Sequence, residues 1–295
     1  MTTITAFLQE NKIEYRENLL MSKKTTFRIG GPAAVTIYPK DMTEVCSIVR
    51  FLHQSGEKYL VLGNCSNVLP ADCGISLPIL FTDKLKAVSV DKNMLTCQAG
   101  ILLSQAANTA LENGLSGLAF AHGIPGTVGG AVRMNAGAYG GSISNVVHHT
   151  VYVDQYGEIK EINSREHGFG YRKSIFTDRD IIIETTFLLQ KGNKEEIKAQ
   201  MTEYAAKRKA SQPLEFPSAG SVFKRPEGHY TGALVEQCGL KGYQIGGAQI
   251  SEKHAGFIIN KGGATAEDVK KLISHIQNTV FEHFGVMLET EIKFI

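Results

Sequence analysis

The sequence predicts an α+β fold, and three observations carry that reading. Helical and strand periodicities are mixed along 295 residues without regular βαβ alternation, which disfavours a doubly wound parallel sheet. The length allows more than one hydrophobic core and sets an expectation of about two domains. The 30 glycines fall in clusters, so they mark particular loops and not general flexibility.

The elements follow in order. A helix is expected over 41–55, with Asp41 as its cap and Glu44 completing a capping box. Its apolar face is Val45, Ile48, Val49 and Leu52, and Gly56 stops it. Short strands are expected at 59–63, 79–82, 86–91 and 94–99, then a helix over 103–113 ending at Gly114. A glycine-rich stretch of low regularity runs from 115 to 141. VVHHTVYVDQYGEIKEI reads as a hairpin turning near Tyr156 and Gly157, and IIIETTFLL at 181–189 as a further strand. The polar segment 190–196 is the expected linker, with a helix over 194–210 beyond it. The last helix is expected over 265–284. Thr265 caps it with Asp268 three residues on, and Val269, Leu272, Ile273, Ile276, Val280 and Phe284 form its stripe. Gly285 ends that helix, and 286–295 read as one alternating strand.

Composition narrows the function. Charged residues are 20% of the chain, hydrophobic residues 43%, and the formal net charge is +2, as in an ordinary globular enzyme. No basic block points to nucleic acid. The five cysteines show no C-x-x-C pair, which is the pattern of reduced thiols in a cytoplasmic protein. The N-terminus does not resemble a signal peptide, and no apolar run is long enough to span a bilayer. His148 and His149 lack carboxylate or cysteine partners at metal spacing, so no metal site is expected. No apolar stripe is left over, and a monomer is expected.

Two loops stand out, LGNCSNVL at 62–69 and GIPGTVGGAVRMNAGAYGG at 123–141. Glycine removes the bulk that keeps a backbone N–H away from a phosphate oxygen. Neither loop has the G-K-[ST] of a P-loop, nor G-x-G-x-x-G between strand and helix. Each loop alone serves as well for a tight turn in a crowded sheet. Together, with the Ser66-Asn67 pair, they suit a long ligand carrying a diphosphate, such as a flavin dinucleotide.

A second question is raised by PSAGSVFKRP at 217–226, where Ser221 follows Ala219 and Gly220 and precedes Lys224 and Arg225. A tight turn would account for it. So would a hydroxyl that must approach an anionic ligand.

These stretches, with TTFRIGGPA, GLSGLAFAHGIPGTVGGAVRMNAGAYG, FGYRKSIF, QPLEFPSAGSVFKRP, GLKGYQIGGAQIS, HAGFIIN and ETEIKF, occur in the order found in the UDP-N-acetylenolpyruvoylglucosamine reductases, and the chain closely resembles that family over most of residues 25–295. It is similar to the shorter class, without the extra tyrosine-bearing loop. The resemblance implies a vanillyl-alcohol-oxidase-type (PCMH-type) FAD module at 1–190, with two subdomains divided near 80–100, and a smaller α+β substrate domain at 191–295. It implies non-covalent FAD, NADPH as hydride donor and UDP-N-acetylglucosamine enolpyruvate as substrate, in cytoplasmic peptidoglycan precursor synthesis. Three residues depart from the family pattern: Cys65 takes a glycine-like place, Arg133 stands where an uncharged or aromatic residue is usual, and Arg225 stands where some relatives carry asparagine, with a diphosphate contact as its alternative role.

The resemblance also implies the site. Ser221 matches the proton donor, Arg172 the arginine beside the substrate carboxylate, and Glu291 the C-terminal glutamate. Period two alone does not separate Glu291 from Glu289, and a solvated strand face explains both. The implied cofactor-binding residues are Gly63, Asn64, Cys65, Ser66, Asn67 and Val68 in the first loop, Gly123, Ile124, Pro125, Gly126, Thr127, Gly129 and Gly130 in the second, and Arg208. Tyr171, Lys224, Arg225 and His254 are implied at the substrate. Taken one at a time, Arg172 is better explained by a surface ion pair, Arg208 is explained by a helix-surface charge, and a lone histidine such as His254 is more often structural. An FAD oxidase acting on another alcohol or sugar, or an idle flavin-binding protein, are the competing readings.

Overall fold

The computed structural model describes residues 3–295, and the chain divides into two compact units. The first comprises Met1–Glu17, Ala34–Asn64 and Leu77–Ala206, and the second Asn18–Ala33, Cys65–Ser76 and Lys207–Ile295.

The first unit has two cores. In one, the helix Met42–Ser55 buries Val45, Ile48, Val49 and Leu52 with Ile4 and Leu8 of the helix Thr3–Glu10. Asp41 caps Met42–Ser55 by accepting the Glu44 N–H at 2.9 Å, and Gly56 ends it with φ +70°. The capping box does not close as expected. The Glu44 carboxylate accepts the N–H of Lys40 at 2.9 Å instead, and the Lys40 ammonium lies 2.9 Å from the same carboxylate. In this unit Thr36 and Ile37 run parallel to Ile79 and Leu80, and Leu60–Leu62 pairs on the other side of Ile79–Phe81.

The second core lies on a five-stranded antiparallel sheet. Its spatial order is Ile159–Asn163, Val147–Val153, Ile181–Leu188, Met94–Gln98 and Val88–Asp91. The helix Leu103–Glu112 and the short helix Val128–Arg133 bury their alanines and valines with it. The hairpin turns where expected, at Gly157 with φ +81°. The expected linker is partly structured. Gln190 and Lys191 pair antiparallel with Ser116 and Leu115, and the helix Lys194–Ser211 follows at once. Polar side chains disguised that pairing, because the ladder is made by backbone groups.

The second unit holds a four-stranded antiparallel sheet in the order Ser218–Ser221, Phe257–Asn260, Ala248–Ile250, Gln244–Ile245. The helix Ala266–Phe284 buries Val269, Leu272, Ile273, Ile276 and Val280 with residues of this sheet. Thr265 and Asp268 complete the capping box from both sides. A further cap comes from far along the chain: the Asp72 carboxylate accepts the N–H groups of Ala266 at 2.8 Å and Glu267 at 3.1 Å. The expected strand over 286–295 is split. Thr290 bridges Phe223, and only Lys293–Phe294 forms a strand, parallel to Val68–Leu69. Two successive partners, not one, hold this segment, and they interrupt its alternation. Among the described residues no helix is long and apolar enough to cross a membrane.

Candidate active site

In the first unit the two glycine loops meet. The Asn64 amide donates to the Pro125 carbonyl at 2.7 Å. A β-carbon at Gly63 would lie 2.4 Å from the Thr127 hydroxyl, so the chains approach as closely as they do only because Gly63 has no side chain. Thr127 caps Val128–Arg133 by accepting the Gly130 N–H at 3.4 Å. Gly129 is needed for packing, since a β-carbon there would sit 2.9 Å from that of Ala99. Among the described residues, the N–H groups of Gly123, Gly126 and Thr127 donate to no backbone carbonyl. Three neighbouring donors left over in a glycine loop are what a phosphate-binding turn requires.

Arg172 lies in the same unit, at the tip of a two-residue turn. Gly170 and Lys173 exchange backbone hydrogen bonds at 3.0 and 3.3 Å, leaving Tyr171 and Arg172 between them. Arg172 has φ +53°, a left-handed conformation uncommon for a long side chain. Its guanidinium reaches the Gly137 carbonyl at 3.5 Å and lies 5.0 Å from the centre of the exposed Tyr171 ring.

Two residues that sequence reading missed, Asn135 and His167, brace this turn together with Arg133. Asn135 donates to the Gly170 carbonyl at 3.0 Å and accepts from the Ser144 N–H at 2.9 Å. Its φ of +42° is a conformation asparagine tolerates, which was the available signal. His167 is fully buried, within hydrogen-bond distance of the Asn163 carbonyl and the Thr150 hydroxyl, both at 2.8 Å, and stacked on Phe169. Burial pushes its pKa below the usual imidazole value. The unusual Arg133 donates to the Thr177 carbonyl at 2.6 Å and pairs with Asp178, while the Ser174 hydroxyl donates to the Arg133 carbonyl at 2.7 Å. Its charge therefore has a local structural use.

In the second unit Ser221 ends the strand Ser218–Ser221 opposite Phe257. Its hydroxyl donates to the Phe223 carbonyl at 3.2 Å, a long bond that is easily exchanged. Gly220 has φ +79°, and an added β-carbon would meet nothing within 4 Å. Ala219 is buried. The small residues before the serine are thus explained by a left-handed turn and core packing, with open space on the Gly220 side.

Glu291 is brought beside this segment. Its N–H donates to the Val222 carbonyl at 2.8 Å, directly after Ser221, and the Lys224 N–H donates to the Glu289 carbonyl at 2.8 Å. Glu289 and Glu291 also separate in role: Glu289 is exposed and ion-paired with Lys224, whereas Glu291 is half-buried. Asn67 fastens the same segment. Its amide donates to the Glu291 carbonyl at 3.2 Å, and its own carbonyl accepts the Lys293 N–H at 3.0 Å. Ser66 and Asn67 are half-buried, and Val68 is buried in the parallel pair, so this part of the first loop is a support for the terminal strand. Cys65 is buried with φ +50°, which accounts for its glycine-like place.

His254 and Ser221 flank Gly256. A β-carbon there would lie 3.0 Å from His254 Cε1 and 3.6 Å from the Ser221 hydroxyl. The Gly256 N–H donates to His254 Nδ1 at 3.1 Å, so the neutral ring carries its proton on Nε2. Burial lowers the His254 pKa and favours that neutral form. Arg225 stacks on the exposed ring of Tyr230 at 3.8 Å and donates to the His229 carbonyl at 3.1 Å. Lys224 and Arg225 therefore each have a partner on the chain, and Arg208 sits half-buried in the last turn of Lys194–Ser211.

Comparison with known proteins adds to this geometry. Residues 212–295 match the family described as the UDP-N-acetylenolpyruvoylglucosamine reductase C-terminal domain, and residues 33–163 match an FAD binding domain. A UDP-N-acetylenolpyruvoylglucosamine reductase of Clostridium novyi is 44% identical over 286 residues, 97% of this chain and 93% of that protein. The crystal structure of the corresponding reductase of Thermus caldophilus superposes with a TM-score of 0.83 at 34% identity, covering 96% of this chain and 98% of that one. The moss protein Physcomitrella patens BBE-like 1 shares the fold over 64% of this chain and 44% of its own, with a TM-score of 0.52 at 14% identity.

Proposed function

The chain belongs to the UDP-N-acetylenolpyruvoylglucosamine reductase family, and from that premise we propose that Arg172, Ser221 and Glu291 carry out the family's reduction here. The enzyme reduces UDP-N-acetylglucosamine enolpyruvate in peptidoglycan precursor synthesis. Residues 1–190 are assigned to the flavin and 191–295 to the substrate, in a cytoplasmic monomer. The first unit fits FAD on its own evidence. Gly63 closes on Thr127 without a side chain, and three N–H donors of the second loop are left over for a diphosphate. Gly63, Asn64 and Gly123–Gly126 would hold that part of the cofactor, with Arg208 as a further contact. Bound FAD supplies the hydride, which it takes from NADPH.

The protein's own groups must then manage charge and a proton. Hydride addition to the terminal carbon of an enol ether leaves an electron pair on the carbon beside the carboxylate. That pair is bearable only if the carboxylate shares it. Arg172 binds the carboxylate, since a planar, permanently charged guanidinium matches its two oxygens. Glu291 is placed at the charge that develops beside the carboxylate, as the family's C-terminal stabilising group. Ser221 releases its hydroxyl proton to the carbon, breaking its long bond to the Phe223 carbonyl. Tyr171, Lys224, Arg225 and His254 hold the rest of the substrate. The observation that carries this reading is the Glu291 N–H to Val222 carbonyl bond at 2.8 Å, which sets the glutamate beside the serine's strand end.

The test separates the half-reactions under nitrogen. The wild-type flavin is expected to bleach with NADPH and recover colour on adding the enolpyruvate substrate. Ser221→Ala should bleach normally yet fail to recover with substrate. Equal loss of both steps would refute the serine's role, and recovery by air alone would favour an oxidase.

A further inference from the structure

We infer that His122 is a cofactor-binding residue of this chain, its imidazole Nδ1–H donating to the diphosphate of the bound dinucleotide. This rests on the FAD reading above. His122 immediately precedes Gly123 in the second glycine loop, after the short helical turn Ala119–Ala121. Its backbone is accounted for, because its N–H donates to the Ala119 carbonyl at 3.4 Å. Its side chain is not. Nδ1 is buried and has no hydrogen-bond partner among the described residues. A buried ring nitrogen left unmatched is costly, and native proteins almost always satisfy such an atom.

The fully buried histidine of this unit shows the contrast. His167 has partners at 2.8 Å on both ring nitrogens, and both belong to the chain itself. His122 stands instead beside a loop whose three spare donors, the N–H groups of Gly123, Gly126 and Thr127, want an oxygen acceptor. One anionic ligand there satisfies all four groups together. A diphosphate offers several acceptor oxygens, so the imidazole takes the tautomer with its proton on Nδ1.

The experiment uses the full-length protein freed of flavin and titrated with FAD, following flavin fluorescence for affinity and visible absorption for the ring's surroundings. His122→Phe keeps an aromatic ring but removes the donor. Its FAD dissociation constant should rise roughly ten- to hundredfold, as for loss of a hydrogen bond to a charged group, with the bound flavin's absorption spectrum unchanged. His122→Asn places an amide N–H near the Nδ1 position and should stay within about threefold of wild type, which keeps the test open should His122→Phe fold poorly. Unchanged affinity in His122→Phe would overturn the inference. So would a shifted spectrum, which would put the imidazole against the ring system, and so would His122→Asn binding as weakly as His122→Phe. A wild-type protein that binds no FAD would instead sink the functional reading itself.

Discussion

Cys65 shows how a single position can depart from a family pattern without breaking the fold. With φ +50° it occupies a conformation that costs a non-glycine residue about 1–2 kcal/mol. Cys65→Gly relieves that strain but loses a buried side chain and frees the unfolded chain, effects of similar size. Its unfolding free energy should therefore lie within about 1 kcal/mol of wild type, whereas the β-branched Cys65→Val should lose about 2 kcal/mol or more; denaturant unfolding distinguishes them. Glu291 is the residue whose proposed role is chemical. Glu291→Ala should lower kcat on the order of a hundredfold, equivalent to about 3 kcal/mol of barrier, while leaving flavin reduction by NADPH intact. Glu289→Ala should change kcat little, because that side chain is exposed and pairs with Lys224.

Elements are secured here by partners remote in sequence. The helix Ala266–Phe284 begins with its own capping box and also takes two bonds from Asp72, a carboxylate well placed against the positive end of the helix dipole. Asp72→Ala should cost about 1–2 kcal/mol of stability in denaturant melts, and Asp72→Asn, which keeps one acceptor oxygen, noticeably less. The terminal segment is organised in the same manner. Its bonds to Val222 and Asn67 hold Glu291 in register, so a one-residue slip would turn that side chain to the opposite face.

At the scale of the whole molecule, each unit contains a histidine whose pKa burial pushes down, the fully buried His167 in the first and the half-buried His254 in the second. Above the ordinary value of 6.5 both rings are neutral, folded or unfolded, and the stability is fully present. Below it the unfolded chain takes up protons first, so stability falls as pH drops, with a limiting slope of about 1.4 kcal/mol per pH unit for each histidine. Urea melts between pH 7.5 and 5.5 should show this decline. His167→Gln should flatten it even though its stability at pH 7.5 is lower; an unaltered slope would remove His167 as a cause.

Much of this protein was readable before its structure. The helices Met42–Ser55 and Ala266–Phe284, with their caps and left-handed glycine stops, follow from residues within a few positions of one another. The glycine loops, the order of motifs and hence the family were equally legible, because they are local strings. Tertiary structure decided what depends on residues far apart: that Glu44 turns to Lys40, that Gln190 and Lys191 pair with Ser116 and Leu115, that Asn67 holds the terminal strand, and that segments 18–33 and 65–76 belong with the C-terminal unit. It also singled out His122, whose unmatched nitrogen no spacing announces. Caps, turns and periodicity are settled by nearest-neighbour sterics and hydrogen bonding. Pairing across a hundred residues is settled by which buried groups find a partner only when the whole chain has closed.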